Sequence, residues 1–259
     1  MGLAAVGVLA FAVDAAHMRD AAMLHGFTGL YGAPVGTEIR ILARLADPLP
    51  YALMGLLCMA IALKRGRRST AVAVAVVLVG SGVTAQTLKH VFDQPRYAPW
   101  LPGDPMANQW PSGHATAAMT LALCAVMVAP PAWRAATALV AWGATVGLAY
   151  ATLALAWHYP SDVLAGLLLG GLWVSSALAL LQRVDRGDPR AARPPRLRTL
   201  VAAAGGTALV AAAIVGLASG RVAVDALDRA TAVAGALVIA AVALALLVVT
   251  AVGAPERER

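Results

Sequence analysis

Trp110-Pro111-Ser112-Gly113-His114 is a small, polar, glycine-containing turn that runs straight into the apolar stretch Ala115 to Val128. The spacing predicts a helix that starts at the turn and crosses a membrane. The first N–H groups of a helix have no internal partner and carry the positive end of its dipole, so this start suits an anion. A histidine in the first turn adds a group that exchanges a proton near neutral pH. The stretch reads as a phosphate-handling site at a membrane surface.

Composition agrees with the membrane setting. Of the 259 residues, 60% are hydrophobic and only 13% charged, with a mean hydropathy of +0.75; a soluble domain carries about 25% charged residues. Ala, Leu and Val dominate and 5% of residues are aromatic, so the helices are expected to pack largely through small side chains. The net charge of +7 does not point to nucleic acid, because the basic residues sit in short blocks between apolar runs, the pattern of a topology signal. Most of these arginines read as solvated loop charge. Cys58 and Cys124 both lie inside apolar runs, where they read as small buried hydrophobes without a disulfide or metal spacing.

The expected fold is an all-α polytopic membrane protein with eight spans. Gly2 to Val13 is a short or tilted first span, and 14–47 is a mixed outer-face segment of interfacial helices broken at Gly32-Ala33-Pro34. Further spans are Pro48–Leu63, Thr70–Leu88, His114–Val128, Ala132–Ala156 and Val163–Leu181. They complete a transmembrane core over 1–181. A basic linker follows over 182–199, then a two-helix hairpin over 200–252 (Leu200–Ser219 and Thr231–Val252) and a charged tail over 253–259. Placing Lys64–Arg68, Arg134, the linker and the tail in the cytoplasm puts 13 of the 20 Lys and Arg residues there. These blocks are separated by even numbers of spans, so the assignment is self-consistent, with the C-terminus cytoplasmic. Lys89 to His114 and Trp157 to Asp162 then fall together on the extracytoplasmic face, where ionisable residues at a membrane edge are candidates for function.

Three clusters meet on that face. Lys89 and Arg96 are two cations seven positions apart, Ser112-Gly113-His114 is the opening turn, and His158 precedes Asp162 by four residues at a helix start. A carboxylate that accepts from one ring nitrogen fixes the tautomer and leaves the other nitrogen as nucleophile or base. Two histidines can divide the labour, one attacking phosphorus and one protonating the leaving oxygen. Lys89, Arg96 and the N–H groups of the turn would neutralise charge on the phosphoryl oxygens. No cluster has the spacing of a metal site, so no cofactor is expected. Each piece alone has a plainer reading as a common turn, a snorkelling lysine or a capping pair; their arrival on one face gives them weight together.

These residues resemble the type 2 phosphatidic acid phosphatases (PAP2), integral membrane lipid phosphatases with the pattern Lys-x6-Arg-Pro, Pro-Ser-Gly-His and Ser-Arg-x5-His-x3-Asp. Lys89 and Arg96 match the first motif with Tyr97 in place of proline, Pro111 to His114 match the second throughout, and His158 and Asp162 match the third. The resemblance spans roughly Pro48 to Leu181, a six-helix core with the first span. It implies His158 as the nucleophile that becomes a phosphohistidine, Asp162 as its orienting partner and His114 as the general acid. Lys89, Arg96, Ser112 and Gly113 would bind phosphate. The family's Ser-Arg pair falls on Ala151 and Thr152, so a cation is missing that a threonine hydroxyl does not replace. Arg40 and Arg44, in the outer-face segment, are the candidates to substitute for it.

The implied function is metal-independent hydrolysis of a lipid phosphate or diphosphate at the outer face of the plasma membrane. The substrate expected is a polyprenyl carrier of cell-envelope synthesis or a phosphatidic-acid-type lipid. The alternatives are a phosphotransferase using the same site and, because of Thr152, a non-catalytic lipid-phosphate binder.

Overall fold

A computed structural model describes residues 2–28, 36–92, 110–184 and 226–254. Among them every regular element is helical. They form α1 (Gly2–Ala12), α2 (Asp14–Thr28), α3 (Gly36–Arg44), α4 (Pro48–Lys64), α5 (Arg68–Val91), α6 (Gly113–Val128), a 3-10 turn (Pro131–Trp133), α7 (Arg134–Ala154), α8 (Pro160–Val184) and α9 (Ala226–Gly253). Four segments are long and apolar enough to cross a membrane: α5, the 3-10 turn with α7, α8, and α9. The number rises to six if the bent pairs α1–α2 (93°) and α3–α4 (50°) each count as one span. The expected span His114–Val128 is a 16-residue helix, shorter than the roughly 20 residues of an average crossing. The span Leu200–Ser219, most of the basic linker and the end of the tail lie outside the described residues.

At the centre of the bundle stands α6. A helix apolar on every side belongs inside, and Met119, Leu123, Cys124, Val126 and Met127 are all buried. Around it pack α4, α5, α7, α8 and α9. Helices in lipid gain nothing by hiding apolar surface from one another, so close approach through small residues carries the packing. A Cβ on Gly80 would stand 2.4 Å from the Trp173 ring, and one on Gly171 would stand 2.6 Å from Leu246. Between α5 and α6 the Thr120 hydroxyl donates to the buried Ser81 Oγ at 3.3 Å. Both cysteines are free and buried.

Hydrogen bonds define the end of the bundle away from the turn. Arg67 Nη1 donates to the Met127 carbonyl at the end of α6 (3.0 Å), and Arg134 Nη1 donates to the Ala254 carbonyl just past α9 (3.0 Å). Both arginines are buried, so the reading of the basic blocks as solvated loop charge fails at these two positions. Helix C-termini present orphan carbonyls and negative dipole ends, and a guanidinium satisfies both. Gln182 Nε2 donates to the Gly253 carbonyl at the same end (3.0 Å).

The last helix was expected to be half of an appended hairpin; instead α9 is built into the bundle. It packs on α2, α6, α7 and α8, buries Ala240, Ala243 and Leu247, and accepts the Trp142 indole N–H at its Ala240 carbonyl (3.1 Å). From the mixed segment, α2 sinks Ala21, Leu24 and Phe27 into this core.

Candidate active site

Five helix ends converge opposite Arg67 and Arg134: the starts of α4, α6 and α8 and the ends of α5 and α7. The turn before α6 is held from two directions. Ser112 is the N-cap, with extended backbone and a side chain that accepts from the Ala115 N–H at 3.2 Å, a contact worth about 1 kcal/mol. The Ser112 N–H donates to the Asp162 carbonyl at 2.9 Å, which ties the turn to the first turn of α8. That approach needs Gly166, where a Cβ would lie 2.6 Å from the Ser112 carbonyl oxygen and 2.9 Å from the Ala115 Cβ. The Gly113 and His114 N–H groups precede the helix's own ladder and remain at its positive end. Beneath them Lys89 Nζ lies 3.8 Å from where a Gly113 Cβ would stand.

The second wall comes from the link between α7 and α8. The Ala156 N–H donates to the Leu153 carbonyl and the Trp157 N–H to the Thr152 carbonyl, with Ala156 in the left-handed region at φ 53°. This resembles a Schellman closure, which glycine usually makes; the end of α4 closes the same way on Gly66 at φ 69°. The reversal projects His158 towards His114, with ring centroids 6.2 Å apart and the Trp157 ring 5.5 Å from His114.

His158 is 3% exposed and Asp162 fully buried. His158 Nδ1 sits 3.7 Å from Asp162 Oδ2, beyond hydrogen-bond length, while that oxygen accepts from the Tyr159 N–H at 2.8 Å. The Asp162 carboxylate is thereby pinned beside the imidazole, on its Nδ1 side. Lys89 lies within electrostatic reach of the same carboxylate.

The structure therefore gathers Lys89, Ser112, Gly113, His114, His158 and Asp162. Arg96 lies outside the described residues. Arg40 and Arg44 are exposed on α3, which packs on α7 through Ala43 against Ala151 and Leu155, with Trp157 alongside. Thr152 offers nothing to a ligand, for it is fully buried and its hydroxyl donates to the Ala149 carbonyl of its own helix (2.9 Å).

Three features of the site lie outside the motifs read from the sequence. Asp47 Oδ1 approaches His114 Nε2 at 3.4 Å. Asp20, from α2, accepts from the Ser161 N–H at 3.0 Å and the Ser161 hydroxyl at 2.5 Å, capping the start of α8. Trp110 is buried in an aromatic cluster with Phe11 and Phe92, with centroids 5.9 Å and 4.8 Å from its own. Only the Asp47-Pro48 pair carries a hint, as an acidic residue followed by proline marks a helix start. Among the described residues, no group of three or more His, Cys, Asp or Glu side chains is placed to hold a metal ion.

Residues 70–186 match the PAP2 superfamily. The fold is similar to the crystal structure of a transmembrane PAP2-type phosphatidylglycerolphosphate phosphatase from Bacillus subtilis, with 18% identity and a TM-score of 0.56 over 71% of this chain and 95% of that one. No curated protein sequence matches the chain.

Proposed function

From the match of residues 70–186 to the PAP2 superfamily, we propose that this multi-pass membrane protein is a lipid phosphatase working through a phosphohistidine on His158. The observation that carries the reading is the pair of imidazoles facing each other, 6.2 Å between centroids, over a helix start with Lys89 beside it. With Nδ1 turned to Asp162, His158 Nε2 is the attacking atom. The P–O bond to the lipid alcohol breaks as the N–P bond forms, and His114 delivers a proton to the departing oxygen. Water then attacks phosphorus, the N–P bond breaks and the water proton returns to His114. Lys89, Arg96 and the Gly113 and His114 N–H groups hold the phosphoryl oxygens throughout. No step draws on a metal.

We place the site on the extracytoplasmic face of the plasma membrane, following the distribution of basic blocks. That face favours a polyprenyl phosphate or diphosphate, with phosphatidic-acid-type lipids and phosphatidylglycerol phosphate as the other substrates to test. The test is phosphate release by the purified full-length protein from each of these lipids, with His158→Ala as control. The expected result is release from at least one lipid and its loss by roughly 10⁴-fold or more in the variant, with the fold retained. Activity surviving in His158→Ala would end the phosphohistidine scheme. The buried Thr152 at the position of a family arginine supports a second reading, a lipid-phosphate binder without turnover. Binding of all four lipids with no release from any would favour it. Transfer of the phosphoryl group to an added alcohol in place of water would instead identify a phosphotransferase.

A further inference from the structure

We propose that Asp47 is the positioning residue for His114, so that the acid histidine has a carboxylate of its own, as His158 has Asp162. The inference rests on the phosphatase reading above. Asp47 stands at the elbow between α3 and α4, in the N-cap position of α4 with φ −63° and ψ 157°, yet its side chain makes no capping hydrogen bond. An N-cap aspartate ordinarily accepts from the N–H at the second or third helical position. Here the helix opens Pro48-Leu49-Pro50. Proline has no N–H, so of the two donors a cap would use only the Leu49 N–H is present, and the Asp47 side chain does not bond it. The carboxylate is released from its own helix and turns towards the site, where Oδ1 meets His114 Nε2 at 3.4 Å.

The main chain of Asp47 is fixed on both sides. The Asp47 carbonyl accepts the first helical bond from the Tyr51 N–H (3.0 Å), and the Asp47 N–H donates to the Arg44 carbonyl (3.0 Å). The His114 ring is bounded on its other sides by Trp157 and His158. Asp47 is its one carboxylate contact among the described residues. A carboxylate at Nε2 selects the tautomer that keeps a proton there, so Nδ1 is the ring atom that carries the transferred proton to the leaving oxygen. Once that proton has gone, the same contact holds the ring for its return from water. Asp47 thus touches no reacting atom and acts only through His114.

Leaving-group dependence separates this role from a structural one. An alkoxide departing from a lipid phosphate needs the proton from His114, whereas 4-nitrophenolate departs unaided. In the full-length protein, Asp47→Asn, which keeps size and shape, is expected to lower kcat/KM, which reports only the steps up to loss of the leaving group, by about 10- to 100-fold on the best lipid phosphate. Its kcat/KM on 4-nitrophenyl phosphate should fall less than about threefold, and Asp47→Glu should recover part of the lipid activity. Equal losses on both substrates, or no loss on the lipid, would overturn the role of Asp47 while leaving the phosphatase reading intact. An unmutated protein that cleaves neither substrate would overturn the phosphatase reading and the role with it.

Discussion

Thr152 marks where this site departs from the pattern it otherwise follows. The residue closes on its own helix through the Ala149 carbonyl, and its own carbonyl receives the Trp157 N–H, so it shapes the turn that presents His158 but adds no charge. The space above it is taken by α3, where Ala43 rests on Ala151 and Arg44 is the next residue. We propose that a guanidinium from Arg40 or Arg44 supplies the missing positive charge when a phosphate is bound. A hydrogen bond to a charged group contributes about 1.5–3 kcal/mol, so replacing the residue responsible by alanine should raise KM by about tenfold or more. Steady-state kinetics of Arg40→Ala and Arg44→Ala decide the matter, and unchanged constants in both would remove α3 as the source. Pro111 to His114, His158 and Asp162 were legible as candidates because their spacing is local. Asp47 was not, since its partner lies on another helix and nothing in the chain states which way an N-cap carboxylate turns.

At the level of elements, the pairing of α6 with α8 sets the distance between the two histidines. Gly166 permits it, and there the clash met by a Cβ is with backbone: the Ser112 carbonyl at 2.6 Å and the Thr116 nitrogen at 3.0 Å. Backbone of a packed helix cannot swing aside as a flexible side chain would, so Gly166→Ala must part the helices. Overpacking of this kind costs about 1–3 kcal/mol. A lower Tm in detergent together with a fall in phosphate release is the expected outcome. Gly82→Ala on α5 is the matching control, because nothing lies within 4 Å of a Cβ at that position and alanine is the better helix former. It should leave Tm unchanged or raise it. If the two variants behaved alike, close approach at Gly166 would not be what holds the site together. Helix existence was readable from the apolar runs and their punctuation by Gly66, Pro130 and Pro160. The short α6 and the burial of Ala21, Leu24 and Phe27 on α2 depended on what those stretches met in space.

For the whole molecule, the two ends of the bundle have opposite tasks. One gathers His114, His158, Asp162 and Lys89; the other gathers Arg67, Arg134 and the end of α9 through hydrogen bonds to terminal carbonyls. The C-terminal end of α9 therefore lies at the end away from the candidate site. With the site outward, a reporter fused after Arg259 should be active only as a cytoplasmic marker; an extracytoplasmic signal would invert the orientation proposed here. The sequence by itself determined the helical class and the membrane setting and singled out His114 and His158 as candidates, because apolar run length, charge blocks and short motif spacing are properties of neighbouring residues. Only the tertiary structure decided that α9 belongs to the bundle, that Arg67 and Arg134 cap helices, and that Asp47 and Asp20 serve the starts of helices α6 and α8. Those contacts join residues dozens of positions apart or more. Their geometry follows from how closely small residues let the helices approach, which no local pattern records.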